Sequence, residues 1–155
     1  MNDMWRILGW LFHGDREHFV DGSRKRFDRE RIVRFCTERG IALYDTATVV
    51  RRLRDNASDQ FLEVVEPTDV AALLRRIPAC RTVVVTGEKA AETVLLSLGR
   101  HAERYPKVGE SVAFDFEGRA MRLWRMPSSS RAYPRPVEWK AAFYRKVFQA
   151  DGIIA

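Results

Sequence analysis

The chain has 155 residues, 46% of them hydrophobic and 31% charged, which is the length of one ordinary domain with enough apolar mass to bury a core. That balance excludes a disordered tail, a collagen-like repeat and a small disulfide-stapled scaffold. The 27 Lys and Arg residues against 21 Asp and Glu give a formal charge of +6, and 22 of the 27 are Arg, whose planar fork grips a phosphate at two points and suits a polyanionic partner.

In chain order, large apolar side chains recur at helical spacing from Met4 to Phe12, and Gly14 ends that helix. Asp28 caps a second helix with Ile32, Phe35 and Cys36 on one face and Gly40 just past its end. Residues 41–47, short and apolar, read as a buried strand ending in polar residues, and residues 51–59, with Arg51, Arg52, Arg54, Asn56 and Ser58, read as a polar loop. Pro67-Thr68-Asp69 announces a third helix carrying Val70, Leu73, Leu74 and Ile77 on one face, and Pro78 stops it. Residues 82–87 form a buried strand running straight into a helix from residue 88 to about 104. Val112, Phe114 and Phe116 alternate with polar neighbours, and Gly118 turns the chain into residues 121–126, a hairpin with one wetter face. The last helix starts at Pro136 and carries Val137, Phe143, Tyr144, Val147 and Phe148 inward. This alternation argues for a single layered α/β domain, residues 1–155, with a largely parallel sheet.

Cys36 and Cys80 lie far apart inside apolar stretches and read as buried free thiols of a reducing compartment. His13, His18 and His101 form no ligand spacing with a cysteine or with each other, so no metal is expected. The apolar runs are too short for a membrane span, and the N-terminus lacks a basic segment and a small-residue cleavage site. A cytoplasmic protein is expected. No residue marks an oligomer interface, and a monomer is expected.

In a parallel α/β fold, ligands bind beyond the carboxyl ends of the strands. Three loops leave such ends: Asp45-Thr46, Gly87-Glu88-Lys89, and Pro127-Ser128-Ser129-Ser130-Arg131. From Arg119 to Val137 stand Arg119, Arg122, Arg125, Arg131 and Arg135 with no acidic residue, so this window alone carries five of the chain's +6 charges. The three hydroxyls beside Arg131 could donate to a phosphodiester, and Tyr133 could press on a base or sugar. The alternative is a solvated loop whose serines cap the next helix. Gly87-Glu88-Lys89 is not a Walker loop, for it has neither the second glycine nor a hydroxyl after Lys89. No serine is flanked in the manner of a nucleophile elbow.

Trp5, Gly40-Ile41-Ala42-Leu43-Tyr44-Asp45-Thr46, Pro67-Thr68-Asp69-Val70, Val85-Thr86-Gly87-Glu88-Lys89-Ala90 and Met126-Pro127-Ser128-Ser129-Ser130 follow one another in an order that resembles the uracil-DNA glycosylase superfamily. The chain is most similar to the branch with hypoxanthine- and mismatch-type glycosylases, and the most specific part is the Pro-Ser-Ser-Ser motif. The resemblance implies a three-layer α/β/α sandwich with a central, mostly parallel sheet. It implies an enzyme that flips a damaged base out of double-stranded DNA and hydrolyses its N-glycosidic bond without metal or cofactor.

The same resemblance assigns roles. Pro127, Ser128, Ser129, Ser130 and Arg131 would enter the minor groove and compress the phosphates, with Gly87 and Lys89 as further DNA contacts. Asp45 and Thr46 would read the base, and Asn2 would orient the attacking water. Met126 stands where uracil-specific members carry a histidine. Asp45 stands where they carry an asparagine, and an ionised carboxylate only accepts, which tilts the reading from uracil towards a base presenting an N–H, such as hypoxanthine. The family's first strand and its Gly-Pro loop have no counterpart ahead of Asn2, and a start placed too late is the expected cause, since an unpaired buried strand edge is costly. The leading expectation is a base-excision DNA glycosylase. The alternatives are a DNA-binding module of the same fold with its chemistry lost, and a nucleotide-processing α/β enzyme, which leaves the acid-free arginine window unexplained.

Overall fold

The computed structural model describes residues 2–23, 26–52, 62–100 and 105–155. It is a mixed α/β protein whose described elements run α1 (Met4–His13), α2 (Arg29–Arg39), β1 (Ala47–Arg52), β2 (Leu62–Pro67), α3 (Val70–Arg76), β3 (Thr82–Thr86), α4 (Glu88–Ser97), β4 (Ser111–Phe116), β5 (Arg119–Met126) and α5 (Val137–Ala150). The chain divides into two compact units, one of Met1–Tyr44 with Ser129–Ala155 and one of Asp45–Ser128.

The first unit is helical. The Asp28 carboxylate accepts the Arg31 N–H at 3.0 Å and starts α2, and Gly40, at φ 66°, ends it. Such a cap contributes about 1 kcal/mol. Helix α1 packs along α5. Between and beside them Ile7, Leu8, Phe19, Phe35, Ala141, Tyr144, Val147 and Phe148 are buried. Phe12 meets Phe35 and Phe148 edge-on at 4.9 and 5.1 Å, a favoured ring geometry. Gly9 lets the chain after α1 fold back, because a Cβ there would lie 2.5 Å from the Asp15 carbonyl oxygen.

In the second unit β5 is the central strand of a three-stranded mixed sheet, β3-β5-β4. It pairs with β3 in parallel (Val83 opposite Leu123, Val85 opposite Arg125) and with β4 antiparallel (Phe114 opposite Met121). Side chains alternate across a strand, so Val85, Phe114, Phe116, Met121 and Leu123 share one face. That face forms the core with Val70 and Leu74 of α3 and Ala91, Val94 and Leu95 of α4. The hairpin turns at Glu117 and Gly118, both at positive φ. Strands β1 and β2 form a separate antiparallel pair.

Four expectations need correction. No strand covers residues 41–45; Leu43 and Tyr44 are 50% and 67% exposed, so the apolar run has no second layer to bury it, and the strand begins at Ala47 instead. The expected loop from residue 51 is strand through Arg52, paired with the unanticipated β2, while residues 53–59 lie outside the described residues. β3 is an edge strand rather than a buried one, with Val85 buried and Val84 37% exposed. Helix α4 ends at Ser97, where Gly99 at φ 68° turns the chain, and residues 101–104, with His101, lie outside the described residues.

Candidate nucleic-acid interface

Within the second unit the two parallel strands β3 and β5 end side by side. Thr86 is in register with Met126, and the Gly87 N–H donates to the Met126 carbonyl at 3.0 Å. The loops singled out as Gly87-Glu88-Lys89 and Pro127-Ser128 therefore leave the sheet at adjacent carboxyl ends. Gly87 is held at φ 93° and ψ 169°, a backbone state that a side chain disfavours, and a Cβ there would meet nothing within 4 Å. Its role is conformational: it turns β3 directly into the first turn of α4. Lys89 is exposed on that turn, and Pro127 is buried. Glu88 already places a carboxylate at this positive helix end, 3.7 Å from the Arg125 guanidinium.

Asp45 and Thr46 lie elsewhere in the same unit. The Thr68 hydroxyl donates to the Asp45 carbonyl at 2.6 Å and the Thr68 N–H to the Thr46 carbonyl at 3.0 Å. Ser97, the last residue of α4, donates its hydroxyl to the Thr68 carbonyl at 2.9 Å. At 1.5 Å rise per residue, that end of α4 lies about 15 Å from Gly87. The expected base-reading pair is thus anchored at the opposite end of α4 from Gly87 and Lys89.

In the first unit the structure brings Asn2 to the serine loop. Asn2 and Ser130 form an antiparallel bridge, and the Asp3 N–H donates to the Ser129 carbonyl at 2.7 Å. The Asn2 amide oxygen accepts the Met4 N–H at 2.8 Å and so satisfies one of the orphan donors that open α1. Ser129 is buried at 2% exposure. Ser130 shapes the turn after it: its hydroxyl accepts the Ala132 N–H at 3.2 Å and its carbonyl the Tyr133 N–H at 3.1 Å.

Two residues absent from the sequence-based site complete this cluster. Asp3 accepts Arg131 Nε at 3.2 Å on Oδ1 and Lys140 Nζ at 3.1 Å on Oδ2. Lys140 Nζ also donates to the Ser130 carbonyl at 2.9 Å and lies 5.8 Å from the Tyr133 ring centre. The signal for Lys140 is readable in the sequence, since it stands among Val137, Ala141 and Tyr144 on the inward face of α5, where a lysine requires a partner. Asp3 carries no such mark.

The five arginines of the acid-free window all have intramolecular contacts. Arg119 donates to the carbonyls of Leu74, Ile77 and Cys80 at 2.9, 3.0 and 3.0 Å and so closes the C-terminal end of α3. Arg122 reaches the Ser111 hydroxyl at 2.9 Å, Arg125 the Pro106 carbonyl at 3.3 Å, and the Arg135 guanidinium lies 4.9 Å from the Trp139 ring centre. Carbonyls, hydroxyls and rings do not neutralise a guanidinium. Only Arg125 and Arg131 of the five meet a carboxylate among the described residues, so the window keeps a positive surplus.

A shallow depression of about 400 Å³ lined by Gly109, Glu110, Ser111, Val112 and Trp124 includes none of the candidate residues. Among the described residues no group of three or more His, Cys, Asp or Glu side chains could hold a metal ion, and no helix is long and apolar enough to cross a membrane. Cys36 and Cys80 are free. No family model matches the chain, and no curated protein or solved structure matches it.

Proposed function

We propose that this protein binds duplex DNA through the loops that follow β3 and β5 and excises a deaminated base, hypoxanthine or uracil, as a DNA glycosylase of the uracil-DNA glycosylase type. The observation that carries the reading is the bridge between Asn2 and Ser130. The resemblance assigns these two residues to one site although they are 128 positions apart in the chain, and nothing in local sequence requires them to meet. The residual positive charge of the window at 119–137 supports the same partner, since phosphate contacts supply most of the affinity for DNA. The family's three-layer α/β/α sandwich with a central, mostly parallel sheet belongs to this proposal, and the parallel β3–β5 pair is what supports it. A cytoplasmic location belongs to it as well. Asp45 and Thr46 have no part in it, because their anchorage lies at the opposite end of α4 from Gly87.

One observation favours a second reading, a DNA-binding module without chemistry. The Asn2 amide oxygen is engaged by the Met4 N–H, and a group serving the first turn of α1 is less able to orient a water.

Binding of a labelled duplex over a range of salt concentrations tests the DNA interaction common to both. A steep negative slope of log affinity against log salt is expected, and Arg131→Ala should flatten it by about one. A slope near zero refutes both readings.

A further inference from the structure

The ion pair between Asp3 and Lys140 is buried more deeply than a surface contact requires, with Asp3 8% exposed and Lys140 0%. Such pairs add little net stability, because the cost of taking two charges out of water offsets most of their attraction. What this pair supplies is geometry. The Asp3 N–H holds the Ser129 carbonyl, Lys140 Nζ holds the Ser130 carbonyl, and the Asp3 carboxylate holds Arg131 Nε. Three consecutive residues of the serine loop are each fixed by one member of the pair. Asp3 comes from the start of the chain and Lys140 from α5, so the loop is gripped from two distant points of the sequence.

We propose that Asp3 and Lys140 are positioning residues for phosphate binding: beside the main-chain bond from Asp3 to Ser129, their buried pair sets the backbone at Ser130 and the direction of the Arg131 side chain. The proposal rests on the DNA-binding reading above for the identity of the ligand. Among the described residues of this cluster one carboxylate faces two cations, a balance of the sign that a phosphodiester needs. Held in place beforehand, the loop loses little conformational freedom when DNA arrives, and freedom not lost on binding appears as affinity.

The test is the double variant Asp3→Asn with Lys140→Met, which removes both charges together and leaves neither one buried alone. Circular dichroism should show an intact fold. Hydrogen exchange at the Ala132 and Tyr133 amides, both held by Ser130, should rise about tenfold while the interior of α5 exchanges as in the wild type. Affinity for a 20-base-pair duplex should fall about tenfold, the change that re-ordering roughly one residue of backbone produces. Lys140→Arg keeps a cation beside Asp3 and should lose less affinity than the double variant. Asp3→Glu keeps every charge and displaces the carboxylate by one methylene, so it serves as a milder form of the test should the double variant not fold.

Unchanged exchange at Ala132 and Tyr133 overturns the positioning role whatever DNA binding does. Increased exchange with undiminished affinity overturns the link between the loop and the phosphate. A wild-type protein that binds no duplex refutes the DNA reading, and with it the phosphate role, on a separate measurement.

Discussion

Replacing Lys140 alone with Met should destabilise the protein far more than replacing both members of the pair. Lys140 is wholly enclosed, and its ammonium donates to Asp3 and to the Ser130 carbonyl. Without it the Asp3 carboxylate stays buried, with Arg131 Nε at 3.2 Å as its one cation in the described cluster. Breaking a buried pair from one side costs about 3–5 kcal/mol, and the remaining arginine places this site at the lower end, about 3 kcal/mol. For a chain of this size that lowers the melting temperature by about 10 °C. Adding Asp3→Asn removes the stranded charge, and the double variant should lie within about 1 kcal/mol of the wild type. Urea denaturation of the wild type, both single variants and the double gives the coupling directly. If Lys140→Met costs less than about 0.5 kcal/mol, or if the two single costs simply add, Asp3 and Lys140 do not form a coupled buried pair and do not position the loop.

Further expectations follow from other contacts. Gly9→Ala sets a methyl group 2.5 Å from the Asp15 carbonyl oxygen, so despite the better helix propensity of alanine it should destabilise by about 2 kcal/mol in the same denaturation assay. Arg119→Met withdraws charged donors from three carbonyls at the end of α3 and should cost about 2 kcal/mol, with Arg119→Lys recovering only part, because one ammonium cannot span the same fork. His13 is stacked on His18 at 3.6 Å, and burial first, then the charges of His18 and Arg39, hold its pKa below the usual 6.5. The unfolded chain therefore takes up this proton first as the pH falls. Stability should be full above pH 6.5, decline as the pH drops from there towards the lowered folded value, and level off below it. His13→Gln should flatten that decline in melting curves recorded from pH 7.5 to 5.

Much of the helical framework was legible because its signals are local. Asp28 and Gly40 bracket α2, Asp69 and Pro78 bracket α3, and Gly118 turns the β4–β5 hairpin, each through the conformation of a few neighbouring residues. What could not be read depends on distant partners. Residues 41–44 look like a buried strand, yet half-exposed Leu43 shows that an apolar run without a covering layer forms none. β1 and β2 stabilise one another while leaving Val49, Val50 and Val65 exposed, so no alternation marks either strand. The loop ends at Gly87 and Pro127 follow from the order of strand and turn residues, and they do meet at the parallel β3–β5 pair. The grip of Asp3 and Lys140 on the serine loop joins positions 137 apart, and only three-dimensional packing reveals it.

The arginine window changes meaning in the same way. Composition presents it as five cations available to a polyanion, whereas Arg119 closes a helix end and Arg131 is tied to Asp3. On the proposed DNA-binding reading, the window would contribute a positive potential from charges that carbonyls, hydroxyls and rings leave unneutralised, and the serine loop would make the direct phosphate contacts. That division implies that salt should weaken binding more steeply than the loss of any one arginine does.

The measurement that tests the central claim most directly is single-turnover excision on end-labelled duplexes, each carrying one hypoxanthine, one uracil or one mismatched thymine, followed by alkaline cleavage of any abasic site. The glycosylase reading expects strand cleavage at a deaminated base, hypoxanthine or uracil, and none in the undamaged duplex, together with a large loss in Asn2→Ala. Intact strands from every substrate, under conditions where the protein demonstrably binds the duplex, would contradict it and leave the DNA-binding module in its place.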